Sequence, residues 1–131
     1  MSSNTGNFTP KSVLYWLCAA LALGIMSFGL LALITPQFGS IMFGTPVTGA
    51  DALTWVRLTA IRDIALGLFL LTVIALKQGR TAGFLVLLAI IVPVNDAATV
   101  FLRNGPDYHM LIHGASILFI LFLGVALLRR T

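Results

Sequence analysis

Four apolar runs, over residues 12–34, 54–76, 81–102 and 108–128, leave this chain little choice of fold. Each holds about 21 to 23 residues, so a helix through it is roughly 31 to 34 Å long and crosses the ~30 Å hydrocarbon core of a bilayer. Inside a bilayer every backbone N–H and C=O must find its partner within the protein, which leaves α-helices or closed barrels. Runs this long and this continuous read as helices. The expected fold is all-α: a polytopic membrane protein built as a four-transmembrane-helix bundle. Of 131 residues 59% are hydrophobic and 9% charged, which leaves no room for a separate soluble domain.

What lies between the runs sets their limits. Residues 1–11 are polar, end near Pro10 and read as a flexible tail before a single transmembrane domain over residues 12–131. The first run is too long for the 7 to 15 residues, roughly, of a signal-peptide core, so it reads as a retained span. Ala20 and Gly24 on it form a small-xxx-small pair that allows a close approach by another helix. The stretch from Gln37 to Leu53 is apolar but interrupted by Gly39, Gly44, Pro46 and Gly49, too broken to span, and reads as an interfacial cover over the bundle, with a lipid-facing connector as the alternative. Lys77, Gln78, Gly79 and Arg80 make a tight turn. Pro93 predicts a kink in the third helix, because it removes one backbone donor and leaves the carbonyl of Ala89 without its usual partner.

Charge is scarce and sits at the ends of the runs. The net charge of +4 forms no patch, which excludes nucleic acid as a partner. With four spans, Lys11, Lys77, Arg80, Arg129 and Arg130 share one side, against Arg57 and Arg103 on the other. The excess predicts that both termini are cytoplasmic, in the endoplasmic reticulum or a bacterial inner membrane. Cys18 is the only cysteine, so an internal disulfide and a cysteine-rich metal site are both excluded.

Against that background Arg62 and Asp63 stand out, two full charges within the second run. At the centre of a membrane helix each costs about 2.5 to 3.5 kcal/mol, so they require burial in protein, pairing or a water-filled cavity. Counted from Trp55, they lie roughly 10 to 12 Å along their helix; Asp96 lies roughly 9 Å inside the end of the third, and His113 about 7 to 8 Å into the fourth. The ionisable groups therefore come to one level, and the inner half below them is Leu, Ile, Val, Phe and Ala. Helical spacing aligns Thr59, Asp63 and Gly67; Asp96, Thr99 and Arg103; and His109, His113 and Ser116. Gly67, one turn from Asp63, admits a neighbouring helix or a ligand. A purely structural network, with Arg62 paired to Asp96 or Asp63, accounts for the same pattern.

Two carboxylates, an imidazole and a guanidinium at one depth make an acid–base apparatus. Arg62 is expected to keep one carboxylate ionised while the other holds its proton, giving the unequal pair that proton transfer needs. The candidate catalytic residues are Asp63, Asp96, Arg62 and His113, and the candidate substrate-binding residues are Asn95, Tyr108, His109, Thr59 and Arg57. The function expected is a membrane-embedded enzyme without a cofactor, opening an epoxide by hydrolysis or cyclisation, or isomerising a lipophilic small molecule. That substrate and the bilayer are the expected partners, with a homo-oligomer left open. A proton-coupled carrier or an accessory subunit is the alternative. Binding of a metal by His109, His113 and Asp96 is disfavoured by the nearby Arg62, and a Ser116–His113–Asp96 triad rests on a single serine near a single histidine.

The run Arg62-Asp63-x-x-x-Gly67, with Asp96 in the third helix and His113 opening the fourth, resembles a family of small four-helix integral membrane proteins, DoxX-like in style and found in bacteria and fungi. The resemblance covers residues 12–128 and implies the four-helix fold but no established reaction. In residue types alone, the acidic pair with Arg62, Asn95 and Tyr108 is similar to the site of the limonene-epoxide hydrolases. Small fungal terpene cyclases and isomerases are similar in placing acids within a helical bundle to protonate an epoxide or olefin.

Overall fold

In the computed structural model, which describes residues 7–131, the chain forms six helices: α1 (Val13–Ile34), α2 (Pro36–Phe43), α3 (Ala50–Ala75), α4 (Gly79–Leu88), α5 (Ile91–Asn104) and α6 (His109–Arg130). Four segments are long and apolar enough to cross a membrane: α1, α3, α4 together with α5, and α6. The chain is an integral, multi-pass membrane protein with the expected four-helix bundle. The start of α1, the α3–α4 turn and the end of α6 meet at one end, where Gly79 packs against both Phe8 and Thr131. α2 and the α5–α6 turn lie at the other.

The segment boundaries follow from a few residues. Thr35 leaves the helical region (φ −125°, ψ 71°) because a residue preceding proline is crowded out of it, and Pro36 then occupies the first turn of α2, where its missing N–H costs nothing. α2 folds back along α1 at Gly39, where a Cβ would sit 2.8 Å from the backbone of Ala32. Gly44, at φ 97°, closes it in the left-handed conformation. The interrupted stretch therefore contains two helical turns of its own. α3 begins at Ala50, four residues before the expected start at 54, with Asp51 in its first turn beside the positive end of the helix dipole.

The third span breaks where Pro93 demands it, one turn upstream. Ala89 and Ile90 form a turn between α4 and α5. The Ala89 carbonyl, which proline deprives of its usual donor, instead accepts from the Val92 N–H at 3.0 Å, so the kink leaves that carbonyl satisfied.

Packing pairs α1 with α3 and α4–α5 with α6, while α3 and α5 scarcely touch. Glycines make both close contacts. A Cβ at Gly29 would lie 2.8 Å from the Ala60 carbonyl oxygen, one at Gly67 would lie 2.9 Å from that of Ala22, and one at Gly124 would meet Leu87. The role expected for Gly67, admitting a neighbouring helix, is the one it has. The Ala20–Gly24 pair, by contrast, brings in no helix: both residues are exposed, and a Cβ at Gly24 has nothing within 4 Å.

The fully packed core lies toward the terminal end, around Cys18, Ala82, Val86, Leu123 and Leu127. Phe8 completes it. The tail expected over residues 1–11 falls partly on residues 1–6, outside the described residues. Residues 7–11 are anchored at Phe8, which is fully buried with its ring 5.3 Å from that of Tyr15, and Trp16 Nε1 donates to the carbonyl of the exposed Pro10 at 2.8 Å. A single aromatic among polar residues gave little periodic signal, yet burying one ring is enough to hold the segment.

Candidate functional site

Because α3 and α5 diverge above the core, a cavity of about 530 Å³ remains between the four spans. Its wall is almost wholly apolar, with Phe28 from α1, Leu66 from α3, Val92 from α5 and Phe119 from α6. Into it the structure brings Asp63 from α3, Asp96 from α5, and His113 and Ser116 from α6. Met42 and Phe43 of α2 line it as well, so the interrupted stretch covers the bundle. A second, shallower groove beside α2, between Thr35 and Leu53, carries no ionisable side chain.

Each of the three ionisable groups is placed by its own helix contact. Asp63 stands where α3 crosses α1, its Cβ 3.2 Å from the place a Cβ would take on Gly29. Asp96 lies one turn beyond the buried Pro93, on the segment that the kink redirects. His113 is 8% exposed, the most deeply buried ionisable side chain of the site. Its Nε2 lies 3.2 Å from the Phe43 carbonyl oxygen. A carbonyl only accepts, so Nε2 carries the proton in that bond, and Nδ1 is the ring nitrogen left without a hydrogen bond among the described residues. The Phe43 and His113 rings meet edge to face at 5.0 Å. His113 thereby ties α2 to the cavity roof.

The charges are near one another without being neutralised. Arg62 and Asp96 both lie within Coulombic range of Asp63, and His113 and Arg62 within range of Asp96. Among the described residues the one contact at ion-pair distance joins His109 to Asp107, an ion pair only when His109 is protonated, so Arg62 is paired with neither carboxylate. Asp63 has no hydrogen-bond partner among them. Arg62 is exposed, one helical step of roughly 100° from Asp63, and does not line the cavity although its charge reaches both carboxyls. The purely structural network expected of Arg62 paired to Asp96 or Asp63 does not form.

The five candidate binding residues are not brought into this cavity. Thr59 is exposed and its hydroxyl donates to the Trp55 carbonyl at 2.9 Å; Arg57 and Asn95 are exposed, the Asn95 amide lying beside the Asp96 carboxyl. Tyr108 stacks on His109 at a ring separation of 4.0 Å. His109 Nδ1 in turn meets Asp107 Oδ2 at 3.0 Å. That hydrogen bond, joined by others from the His109 backbone and Asn104, holds the Asp107 carboxyl below the usual carboxylate range.

These groups form a clasp at the rim. Asn104 Nδ2 donates to the Gly44 carbonyl at 2.6 Å, and Arg103 to the Pro46 carbonyl at 2.8 Å, so the α5–α6 turn grips the end of α2. Arg103, which helical spacing aligned with Asp96, serves this clasp. Sequence reasoning missed the Phe43 carbonyl and the aromatic lining from Phe28 and Phe119. A backbone acceptor leaves no mark on sequence, and phenylalanines on a membrane helix look the same whether they face a cavity or lipid. Among the described residues no three His, Cys, Asp or Glu side chains gather as a metal-ligand set.

The arrangement can accept and release protons at the edge of an apolar chamber. Two carboxyls and an imidazole from three different helices, all lining one cavity, can act together on one polar atom of a molecule whose remainder is hydrocarbon. A family model described as a domain of unknown function, DUF4267, matches residues 22–127, a span that includes every residue of the cavity named above except Ala20 and Leu21 on its α1 wall. No curated protein and no solved structure matches the chain.

Proposed function

We propose, from the premise that the chain belongs to the DUF4267 family, that it is a membrane-embedded acid–base enzyme acting on a lipophilic small molecule, with epoxide opening by water or by an internal hydroxyl as the leading reaction and isomerisation as its variant. The family description carries no activity, so the reading rests on the site. One observation carries it: Asp63, Asp96 and His113, from three different spans, line the same apolar cavity, and Asp63 is free of any hydrogen bond or ion pair among the described residues. Polar groups that cost this much to bury are functional by default unless they satisfy one another. The kinship in style with DoxX-like proteins rests on the same Arg62, Asp63, Gly67, Asp96 and His113.

In this reading one carboxyl gives its proton to the epoxide oxygen as the C–O bond breaks. The other, as carboxylate, takes a proton from water or the internal hydroxyl as that oxygen bonds to carbon. One proton is given and one taken, so the pair is reset by exchange between the two acids, and the product is a diol or a cyclic ether. His113, held at Nε2 by the cavity roof, presents Nδ1 to a substrate hydroxyl or water. Arg62 supplies a fixed positive charge beside the pair. A proton-coupled carrier would need a polar route to the other face. Below the cavity stand Leu70, Ile74, Val86, Leu123 and Leu127, with Phe8 across the end, which is why the enzyme reading is preferred. The excess of Lys11, Lys77, Arg80, Arg129 and Arg130 at the Phe8 end supports, by the positive-inside rule, a reading in which that end is cytoplasmic.

The test uses protein purified in detergent, 1,2-epoxydodecane, and quantification of the diol. The Asp63→Asn and Asp96→Asn variants should each lose about a hundredfold or more in rate while unfolding thermally close to the parent. If both variants unfold far earlier than the parent, the carboxyls hold the helices together instead; if the parent forms no diol above the uncatalysed rate, epoxide opening is wrong.

A further inference from the structure

Glycine inside a membrane-spanning helix usually has a reason in packing, and in this bundle the reasons can be checked one by one. At Gly29, Gly67, Gly83 and Gly124 an added Cβ would run into the facing helix at 3.1 Å or less. Gly24 and Gly114 have no such reason, and of the two Gly24 is the one that lines the cavity. It lies in the middle of α1, its φ is not in the left-handed region, and a Cβ there would meet nothing within 4 Å. It also lines the cavity and is exposed, as is Ala20 one turn earlier. A side chain at 24 would project into open space at the cavity wall.

The level of Gly24 follows from the α1–α3 crossing. Gly29 of α1 faces Asp63, and Ala22 and Met26 face Gly67, so Gly24 stands about one turn, roughly 6 Å, on the core side of Asp63. The acids are above it and hydrocarbon is below. The α1–α6 and α3–α4 seams of the bundle are both lightly packed. At the α3–α4 seam the cavity is lined by Leu66, Phe69 and Leu85, whereas at the α1–α6 seam Ala20, Gly24 and Ser116 stand among the larger Leu21, Ile25 and Phe119. Small residues on the cavity wall, Ala20 and Gly24 both exposed, occur on the α1–α6 side at the depth of the acyl chains.

We infer that the α1–α6 seam is the substrate's window in from the bilayer, that the substrate is a long-chain or polycyclic lipophile bearing its reactive oxygen at one end, and that Gly24 determines how much hydrocarbon the site accepts. The inference rests on the enzymatic reading of the same cavity. The oxygenated end reaches Asp63, Asp96 and His113, and the hydrocarbon passes Gly24 into the window. Any side chain at 24 shortens what can pass.

The experiment reads binding separately from turnover. Full-length protein in detergent is titrated with 1,2-epoxyoctane, 1,2-epoxydodecane and 1,2-epoxyhexadecane, and complexes are counted by native mass spectrometry, while diol formation is followed in parallel. Gly24→Phe should weaken 1,2-epoxyhexadecane about tenfold or more and change 1,2-epoxyoctane less than about twofold, with Gly24→Ala between parent and Gly24→Phe. Gly24→Ala has room for its methyl group, so it keeps the test valid if the larger variant does not fold. An unchanged chain-length profile in Gly24→Ala and Gly24→Phe overturns the inference. So does a parent that binds none of the three epoxides, or a Gly24→Phe variant whose only change is from dimer to monomer. Binding that follows chain length without diol formation retains the window and the role of Gly24 and refutes epoxide opening alone.

Discussion

Replacing Gly29 by alanine tests whether the α1–α3 crossing is what positions Asp63. The new Cβ would lie 2.8 Å from the Ala60 carbonyl oxygen, 2.9 Å from Ile64 Cγ1 and 3.2 Å from Asp63 Cβ. The Ile64 side chain can turn away, but a helix carbonyl and a Cβ cannot. Carbon–oxygen contacts settle at about 3.3 to 3.6 Å, so α3 must retreat by roughly 0.5 to 0.8 Å. Overpacking of this kind costs about 1 to 3 kcal/mol, and the better helix propensity of alanine returns at most about 1 kcal/mol. With the full propensity gain the net expectation is a loss of up to about 2 kcal/mol against the parent, and of about 1 to 3 kcal/mol against a control that makes the same propensity gain. Gly114→Ala is the matched control, the same chemical change in α6 where nothing lies within 4 Å, and it should be neutral or slightly stabilising. Reversible unfolding in mixed detergent and dodecyl sulfate micelles, followed by circular dichroism, measures both. Equal stability of the two variants would refute the crossing geometry and, with it, the placement of Asp63.

The clasp at the rim predicts a pH dependence. A carboxyl whose folded-state value is depressed contributes stability that is complete above the ordinary aspartate value of about 3.9 and is lost as pH falls through the lower folded-state value. For Asp107, held down first by the hydrogen bond from His109, acid titration of unfolding should therefore show a fall below that range which Asp107→Asn flattens; an identical slope in the variant would remove Asp107 from the clasp. Orientation is checked by single cysteines introduced in a Cys18→Ser background. Positions 78 and 104 lie at opposite ends of the bundle and should react with an impermeant maleimide from opposite sides, with 78 protected in intact cells and 104 accessible.

Much of this architecture was legible in the residues. The lengths of the four runs determine that they span, because the rise per residue is fixed and the bilayer thickness is given. The same arithmetic set Asp63, Asp96 and His113 at comparable depth, and the break near Pro93 follows from a missing donor. Depth along a helix is a property of sequence. Direction around it is not, in a chain like this one. In water an amphipathic stripe tells which face is buried, but in a bilayer the lipid-facing and core-facing sides are both apolar, so the 3.6-residue pattern that would orient α1 or α6 largely disappears. Tertiary packing alone decided that Asp63 lines the cavity while Arg62 and Thr59 do not, and that Gly67 closes against Ala22 while Gly24 stays open. It also folded α2 back over the site, through the contact of Gly39 with Ala32 and the bond from His113 to the Phe43 carbonyl. The second of these joins residues far apart along the chain, and the geometry of both exists only once the helices have packed.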